Sequence, residues 1–281
     1  ISDQSEIKTI SKNAFSRSTI RNLVIPSQVD TLEDGWCHNT FELILVSISP
    51  SNKNFKYLDD EHQIIIGKSD TKGDIFDTIV FANRGIQRAT IPKFIKYIRP
   101  YAFQNCNQLK TLEIQKDSEL VSIFEKAFST TSIDSFFISP NVENLKDGWC
   151  KNINNLNSVT ISPSNKNFRY LDDEHQIIIG KSDTKGDIFD TIVFANRSIQ
   201  RATIPKFIKY IKPYAFEYCK ILNTIEFSED SEIVSIGKNA FRLTCIESIC
   251  IPSSLEEWSA YNSNLKKITV SPSNKNFGYL D

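Results

Sequence analysis

The residues best suited to chemistry form an acidic turn beside a histidine, and this turn occurs twice. The two copies are Asp59-Asp60-Glu61-His62 and Asp172-Asp173-Glu174-His175. Carboxylate oxygens suit hard cations, but the Asp-x-Asn-x-Asp-Gly loop that folds oxygens around calcium is missing. We therefore interpret each copy as a solvated turn and expect neither a metal site nor a cofactor.

The sequence has three histidines, and His38 is the one that lies outside these two turns. Nucleophilic catalysis needs a base beside a nucleophile and a third group that orients the base. None of the GxSxG, HExxH, GxGxxG or P-loop motifs is present. The sequence therefore predicts a protein that is not an enzyme and has no catalytic residues.

The six cysteines follow the repeat of the chain rather than a metal-binding pattern. Cys37 and Cys150 lie 113 positions apart, as do Cys106 and Cys219, and Cys245 and Cys250 complete the set. No CxxC or Cys/His ligand spacing occurs, which argues against zinc. We predict buried core thiols, with Cys250 facing outward. Disulfide bonds remain the alternative, so the redox compartment stays open.

A long repeat organises the chain. Ile48 to Cys106 recurs as Ile161 to Cys219, with differences at five of 59 positions, and a third copy begins at Val270. A shorter period of about 22 residues runs through the long repeat. Two longer gaps between strand-like segments fit this period if each holds two units, with Thr78 to Phe81 and Thr191 to Phe194 as the additional strands. Such a period predicts stacked units with one continuous core.

We therefore predict a single solenoid over residues 1–281 of about twelve units, with long repeats 1–113, 114–226 and a partial third at 227–281. The chain contains no methionine, and we interpret it as a fragment of a longer one.

The sequence pattern of each unit predicts one short strand and one compact turn. In Leu112-Glu113-Ile114 the apolar residues share a face by the period of two. The Ile-x-x-x-Ala-Phe segment spans about one helical turn. The expected fold class is an α/β repeat solenoid with a parallel β-sheet on one side and short helical or 3-10 turns on the other. Residues 54–66 add a hairpin, and loops at 67–77 and 180–190 protrude from the same side.

The pattern from Ile95 to Ile114, Ile-x-x-Ile-x-x-x-Ala-Phe-x-x-Cys-x-x-Leu-x-x-Leu-x-Ile, resembles the BspA-type leucine-rich repeat of bacterial and protist surface proteins. The resemblance covers essentially the whole chain. It implies a leucine-rich repeat solenoid and a cell-adhesion or binding function toward protein or glycan partners on a host cell or in matrix. A surface or secreted location is expected on this basis. An intracellular, cytoplasmic scaffold for protein-protein interaction is the alternative.

The composition limits the classes of binding partner that we expect. The formal net charge is −1, so no basic stripe indicates nucleic acid. No run of 18 apolar residues occurs, which places any membrane anchor outside this segment. The outward strand positions carry few charges, and this neutral strip indicates either a partner site or the general preference of strands for β-branched residues. As partner-binding residues we predict Val80, Arg88, Phe137, Val193 and Arg201.

Overall fold

A computed structural model describes residues 5–277. The chain divides into two compact units, Ile1–Ile153 and Asn154–Asp281, and each is described by itself. Among residues 5–277 every regular element is a β-strand. The expectation of an α/β fold with helical or 3-10 turns is therefore wrong. The solenoid is built from strands and turns alone.

In the first unit the strands are β1 (Thr9–Ile10), β2 (Asn22–Ile25), β3 (Thr31–Leu32), β4 (Leu45–Ile48), β5 (Phe55–Tyr57), β6 (Ile64–Gly67), β7 (Thr78–Ala82), β8 (Arg88–Ile91), β9 (Tyr97–Ile98), β10 (Thr111–Ile114), β11 (Ser122–Ile123), β12 (Ser135–Ile138) and β13 (Asn144–Leu145).

In the second unit they are β14 (Ser158–Ile161), β15 (Phe168–Tyr170), β16 (Ile177–Gly180), β17 (Thr191–Ala195), β18 (Arg201–Ile204), β19 (Tyr210–Ile211), β20 (Thr224–Phe227), β21 (Ser235–Ile236), β22 (Ser248–Ile251), β23 (Glu257–Trp258) and β24 (Lys267–Val270).

Four-residue strands that pair in two-stranded sheets form one side of the coils, which we call the long-strand face: β2, β4, β8, β10 and β12 in the first unit, and β14, β18, β20, β22 and β24 in the second. Strands β8 and β10 pair in parallel over all four residues. In β8, Ala89 and Ile91 are buried while Arg88 and Thr90 are exposed. Proline follows directly at Pro92 and ends the pairing because it has no amide hydrogen to donate. The predicted strand register is confirmed here.

Two-residue strands form the other side of the coils, joined by a hairpin in each unit. The first unit has the order β13-β11-β9-β7-β6-β5, and the second has β15-β16-β17-β19-β21-β23. Strands β5, β6 and β7 are antiparallel neighbours, whereas β7 pairs in parallel with β9 through Thr78 and Ile79. The hairpin is confirmed. The interpretation of Thr78 to Phe81 as a further long strand is wrong, because its partners place it on the short-strand side.

The Ala-Phe segments are turns with left-handed residues rather than helical turns. Tyr101 and Asn105 have φ of 64° and 63°. The same four-residue spacing recurs at Asn13/Arg17, Gly35/Asn39, Lys126/Thr130, Gly148/Asn152, Tyr214/Tyr218 and Asn239/Leu243. A right-handed helix cannot continue through a residue with φ near +60°. The chain therefore curls without forming a helix.

Backbone donors in these segments alternate between two directions. Ala102 and Gln104 donate to carbonyl oxygens three residues back, whereas Phe103 donates to Ala127 of the next coil at 2.8 Å. Asn105 likewise donates to Ser129 at 3.0 Å. Buried backbone groups must be paired, and this alternation pairs them within a coil and between coils at once.

An asparagine in the Pro-Ser-Asn-Lys-Asn-Phe motif connects successive coils. Asn52 donates to the carbonyl oxygens of Pro26 and Val29 at 2.7 and 3.0 Å, and its own oxygen accepts from the amides of Asn54 and Phe55. Asn274 makes the corresponding contacts near the end of the second unit. The motif therefore holds the chain that follows a long strand against an earlier coil by hydrogen bonds.

The phenylalanines of the Ala-Phe segments form a spine in the core. Phe103 is fully buried and stacks on Phe128, with ring centroids 5.0 Å apart. In the Asp-Gly-Trp-Cys variant, Trp36 follows the left-handed Gly35 and takes the place of the alanine, while Cys37 takes that of the phenylalanine. Both are buried, so the large and small side chains are exchanged and the core remains filled.

We predict that Phe103→Ala lowers the free energy of unfolding by about 3 to 5 kcal/mol, because it empties a large site in a close-packed core. The matched control is Phe94→Ala, whose side chain is 45% exposed. Denaturant unfolding of both variants checks the difference. An unchanged unfolding midpoint for Phe103→Ala would contradict the spine.

Candidate interaction surface

Arg88 and Phe137 lie on the long-strand face of the first unit. Arg88 begins β8 opposite Thr111 of β10, and Glu113 of β10 lies opposite Thr90. Strand β12 lies next to β10, and its Phe137 is half-buried between the buried Phe136 and Ile138. The structure therefore brings an exposed cation and a half-exposed aromatic ring onto the same face, although β10 and β12 belong to different sheets.

Arg201 lies at the corresponding place in the second unit, where it begins β18 opposite Thr224 and is exposed. The outward positions beyond it are Glu226 in β20, Cys250 in β22 and Thr269 in β24. This unit thus presents a charged and polar long-strand face.

Val80 and Val193 do not belong to this surface, which corrects the predicted strip. They lie in β7 and β17 of the short-strand side, and Val193 is only 7% exposed. Each packs over a hairpin glycine: a Cβ built on Gly67 would lie 3.3 Å from Val80, and one on Gly180 would lie 3.3 Å from Val193. Their β-branched side chains are explained by this packing against the hairpin.

The acidic turn is the tip of the hairpin. Asp59 accepts a hydrogen bond from the Gln63 amide at 2.8 Å, and His62 has φ of 57°. The His62 ring stacks on Tyr57 at 4.0 Å, and the Tyr57 hydroxyl accepts from the Ile48 amide at 3.0 Å. These side chains therefore shape and anchor the hairpin. Among residues 5–277 no group of three or more His, Cys, Asp or Glu side chains is arranged to hold a metal.

Buried aspartates close the base of the insertion loops. Asp77 is 3% exposed and accepts from the Ser69 amide at 3.0 Å and from the Ser69 hydroxyl at 2.9 Å. Asp190 and Ser182 repeat this arrangement. The loop ends are therefore fixed to the solenoid, while Ile75 and Ile188 are 66% and 65% exposed beside them.

Ser16 and His38 form a hydroxyl–imidazole pair in the first unit. The Ser16 Oγ lies 3.3 Å from Nε2 of His38. The buried Nδ1 atom has no hydrogen-bond partner among the described residues. Burial lowers the pKa of His38, and nearby cations such as Arg17 act in the same direction.

The structure pairs none of the six cysteines in a disulfide, as the prediction of thiols requires. Cys250 is exposed as predicted, and Cys245 is exposed as well. Burial raises the pKa of Cys37, Cys106 and Cys219 from 9.0 to about 11. The resulting contribution to stability is complete below pH 9 and is lost as the pH rises through about 11, since the unfolded thiols ionise first.

A buried arginine beside these thiols was missed by sequence reasoning. Arg84 is 5% exposed, donates to the carbonyl oxygens of Ala82 and Ala102, and lies 3.5 Å from the Cys37 sulfur. Its guanidinium stacks over Phe81 at 4.6 Å. Arg197 repeats the carbonyl contacts in the second unit. The sequence shows an arginine at this position in both copies of the long repeat. That recurrence does not tell a buried arginine from an exposed one.

Stacked coils of about 22 residues, with parallel strands on the long-strand face, define a leucine-rich repeat solenoid. The chain belongs to the BspA-type leucine-rich repeat family, whose model matches residues 1–60, 71–171 and 187–280 in six copies. No curated protein sequence matches the chain.

Solved structures with the same fold come from bacteria. The pneumococcal vaccine antigen PcpA matches with a TM-score of 0.56 at 16% identity, over 95% of this chain and 68% of its own. A leucine-rich cell surface protein from Faecalibacterium prausnitzii matches with a TM-score of 0.51 at 16% identity, over 94% and 84%. A leucine-rich repeat protein from Eubacterium ventriosum matches at 0.50 and 17%, over 94% and 61%. At these identities the likeness shows the fold alone.

The described residues also include no helix that could cross a membrane.

We predict that a small thiol reagent at pH 8 modifies Cys245 and Cys250 in the native protein and leaves the other four cysteines unmodified. Exposure controls access, and the raised pKa of the buried thiols keeps them protonated. Peptide mass spectrometry measures the modification at each site. Denatured protein, in which all six should react, is the control. Disulfides at Cys106 or Cys219 would contradict the assignment.

Proposed function

We propose that this protein is a non-enzymatic binding scaffold, displayed at a cell surface or secreted, that recognises a protein or glycan partner on a host cell or in extracellular matrix. Its family consists in general of binding scaffolds. One of the solved structures that share its fold is a leucine-rich cell surface protein. Both observations support the proposal.

The observation that carries the proposal is the long-strand face itself. Arg88 is exposed in β8 and Phe137 is half-exposed in β12, on two sheets that lie side by side on this face. Aromatic and arginine side chains dominate the energetics of protein interfaces. A sheet that is already ordered loses little conformational entropy on binding, which favours affinity.

The insertion loops compete with this face for the partner. Their bases are clamped by Asp77 and Asp190, but residues 70–72 and 74–75 of the first loop are exposed. Ordering such residues costs about 1 to 2 kcal/mol each. The long-strand face avoids this cost, and we assign recognition to it.

An intracellular interaction scaffold is the second candidate, and one observation favours it. None of the six cysteines lies in a disulfide, and two of them are exposed. Disulfides are common in oxidising compartments and rare in reducing ones. Antibody staining of intact and of permeabilised cells separates the candidates: staining of intact cells supports the surface location, and staining that requires permeabilisation supports the intracellular one.

We predict that Phe137→Ser weakens binding by about tenfold or more to any component that binds in a panel of immobilised matrix proteins and glycans, because it removes the aromatic anchor. The matched control is Phe94→Ser, an exposed phenylalanine outside the long-strand face. A third variant shortens both insertion loops. If that variant loses binding while Phe137→Ser keeps it at an unchanged melting temperature, the loops are the recognition element.

A further inference from the structure

The long-strand face of the second unit is interrupted between two strands. Strands β18 and β20 pair over four residues, and β22 and β24 do the same. Strands β20 and β22 are close in space but belong to different sheets. The interruption opens a cleft of about 290 Å³ between them.

The cleft has an acidic and polar lining on apolar walls. Its polar side chains are Glu226, Ser228, Glu229, Ser253, Ser271 and Cys250, and no lysine or arginine is among the residues that line it. Glu226 and Glu229 are both exposed at the surface. Of the nearby cations, Lys206 pairs with Asp230 at 3.5 Å, and Lys267 lies opposite Ser248 at the start of β24. The negative charge of the cleft is therefore not neutralised within its lining.

The first long repeat provides a natural comparison, since the lining positions from Ile225 to Ser253 have counterparts 113 residues earlier. Phe137 stands where the second copy has Cys250, and Lys116 stands where it has Glu229. A phenylalanine occupies far more volume than a cysteine, and a lysine reverses the charge. At this point of the face the second copy therefore has a smaller side chain and more negative charge than the first.

We propose that this cleft binds a lysine or arginine side chain of a protein partner. A volume of 290 Å³ lies at the lower limit for pockets that enclose a whole small-molecule ligand, so it suits one long side chain. Apolar walls accept the methylene stem of such a residue while carboxylates receive its charged end. A metal ion is the weaker alternative, because Glu226, Glu229 and Cys250 are not arranged as a metal-holding group in the described part of the chain.

This inference rests on the proposed function of the long-strand face and specifies the partner chemistry in one part of it. Cys250 lines the cleft, so its reaction rate reports the local electrostatic potential. Cys245 is exposed in the same unit and lies outside the lining, which makes it an internal reference.

The first experiment compares a cationic and an anionic methanethiosulfonate, the ethylammonium and ethylsulfonate forms, on the native protein at low salt. We expect the cationic-to-anionic rate ratio at Cys250 to exceed that at Cys245 by at least about threefold, since two nearby carboxylates attract the cation. In the Glu226→Gln/Glu229→Gln variant, and in high salt, the ratio should fall to that of Cys245. In Phe137→Cys, where Lys116 replaces the second carboxylate, the new thiol should show a lower ratio than Cys250. Equal ratios at Cys245 and Cys250 in the unsubstituted protein would overturn the inference.

The second experiment tests the ligand class with two short peptides that differ only in lysine against norleucine, using neutral N-ethylmaleimide as the reagent. The lysine peptide should slow modification of Cys250 and leave Cys245 unaffected, and the norleucine peptide should protect neither. Protection by calcium or zinc alone, by spermidine but not the lysine peptide, or by neither peptide would overturn the assignment. Because Cys250 is read directly, failure here is separate from a negative result with Phe137→Ser, which tests the first unit.

Discussion

Hydrogen bonding between successive coils is the constraint on which the rest of the structure depends. A solenoid without helices must pair its backbone groups with neighbouring coils or with local turns, because buried unpaired groups are costly. Long strands such as β8 and β10 satisfy this requirement on one side. In the Ala-Phe segments, left-handed residues such as Tyr101 turn alternate amides toward the next coil. Position along the stack is thereby fixed, and the outward side chains of the long strands are held in rows.

The long repeat keeps this framework while individual positions differ between the copies, both in the core and at the surface. Gln104 exchanges hydrogen bonds with Asn39, whereas its counterpart Glu217 is fully buried and pairs with Arg242 at 2.7 Å. Arg242 itself stands where the first copy has Ser129. A buried carboxylate needs a partner, so the two substitutions compensate each other. The contrast between Phe137 and Cys250 on the long-strand face is of the same kind, but there the change alters the surface rather than the core.

Several features could be predicted from the sequence because they depend on local alternation and on period. Leu23 and Ile25, or Ala89 and Ile91, face inward as the period of two requires. The side on which β7 lies could not be predicted, because Thr-Ile-Val-Phe has the same alternation in either sheet. Its pairing with β6 and β9 in the structure places it on the short-strand side.

The left-handed turns were missed for a different reason. The Ile-x-x-x-Ala-Phe spacing is compatible with a helical turn, and tyrosine, lysine and leucine rarely adopt positive φ. A signal was nevertheless present: Gly35, Gly148, Asn13 and Asn239 occupy the equivalent first position, and these are the residue types that tolerate it. The same ambiguity misplaced Val80 and Val193, because their strands β7 and β17 lie on the short-strand side.

The most direct test of this account is the detection of hydrogen bonds by nuclear magnetic resonance, through scalar couplings between amide nitrogen and carbonyl carbon. Hydrogen bonding between coils predicts a coupling from the Phe103 nitrogen to the Ala127 carbonyl, in the next coil. A helical turn would instead couple the Phe103 nitrogen to the carbonyl of Arg99, four residues earlier. Observation of the Arg99 coupling without the Ala127 coupling would contradict the coil-to-coil hydrogen bonding on which the fold and its binding face depend.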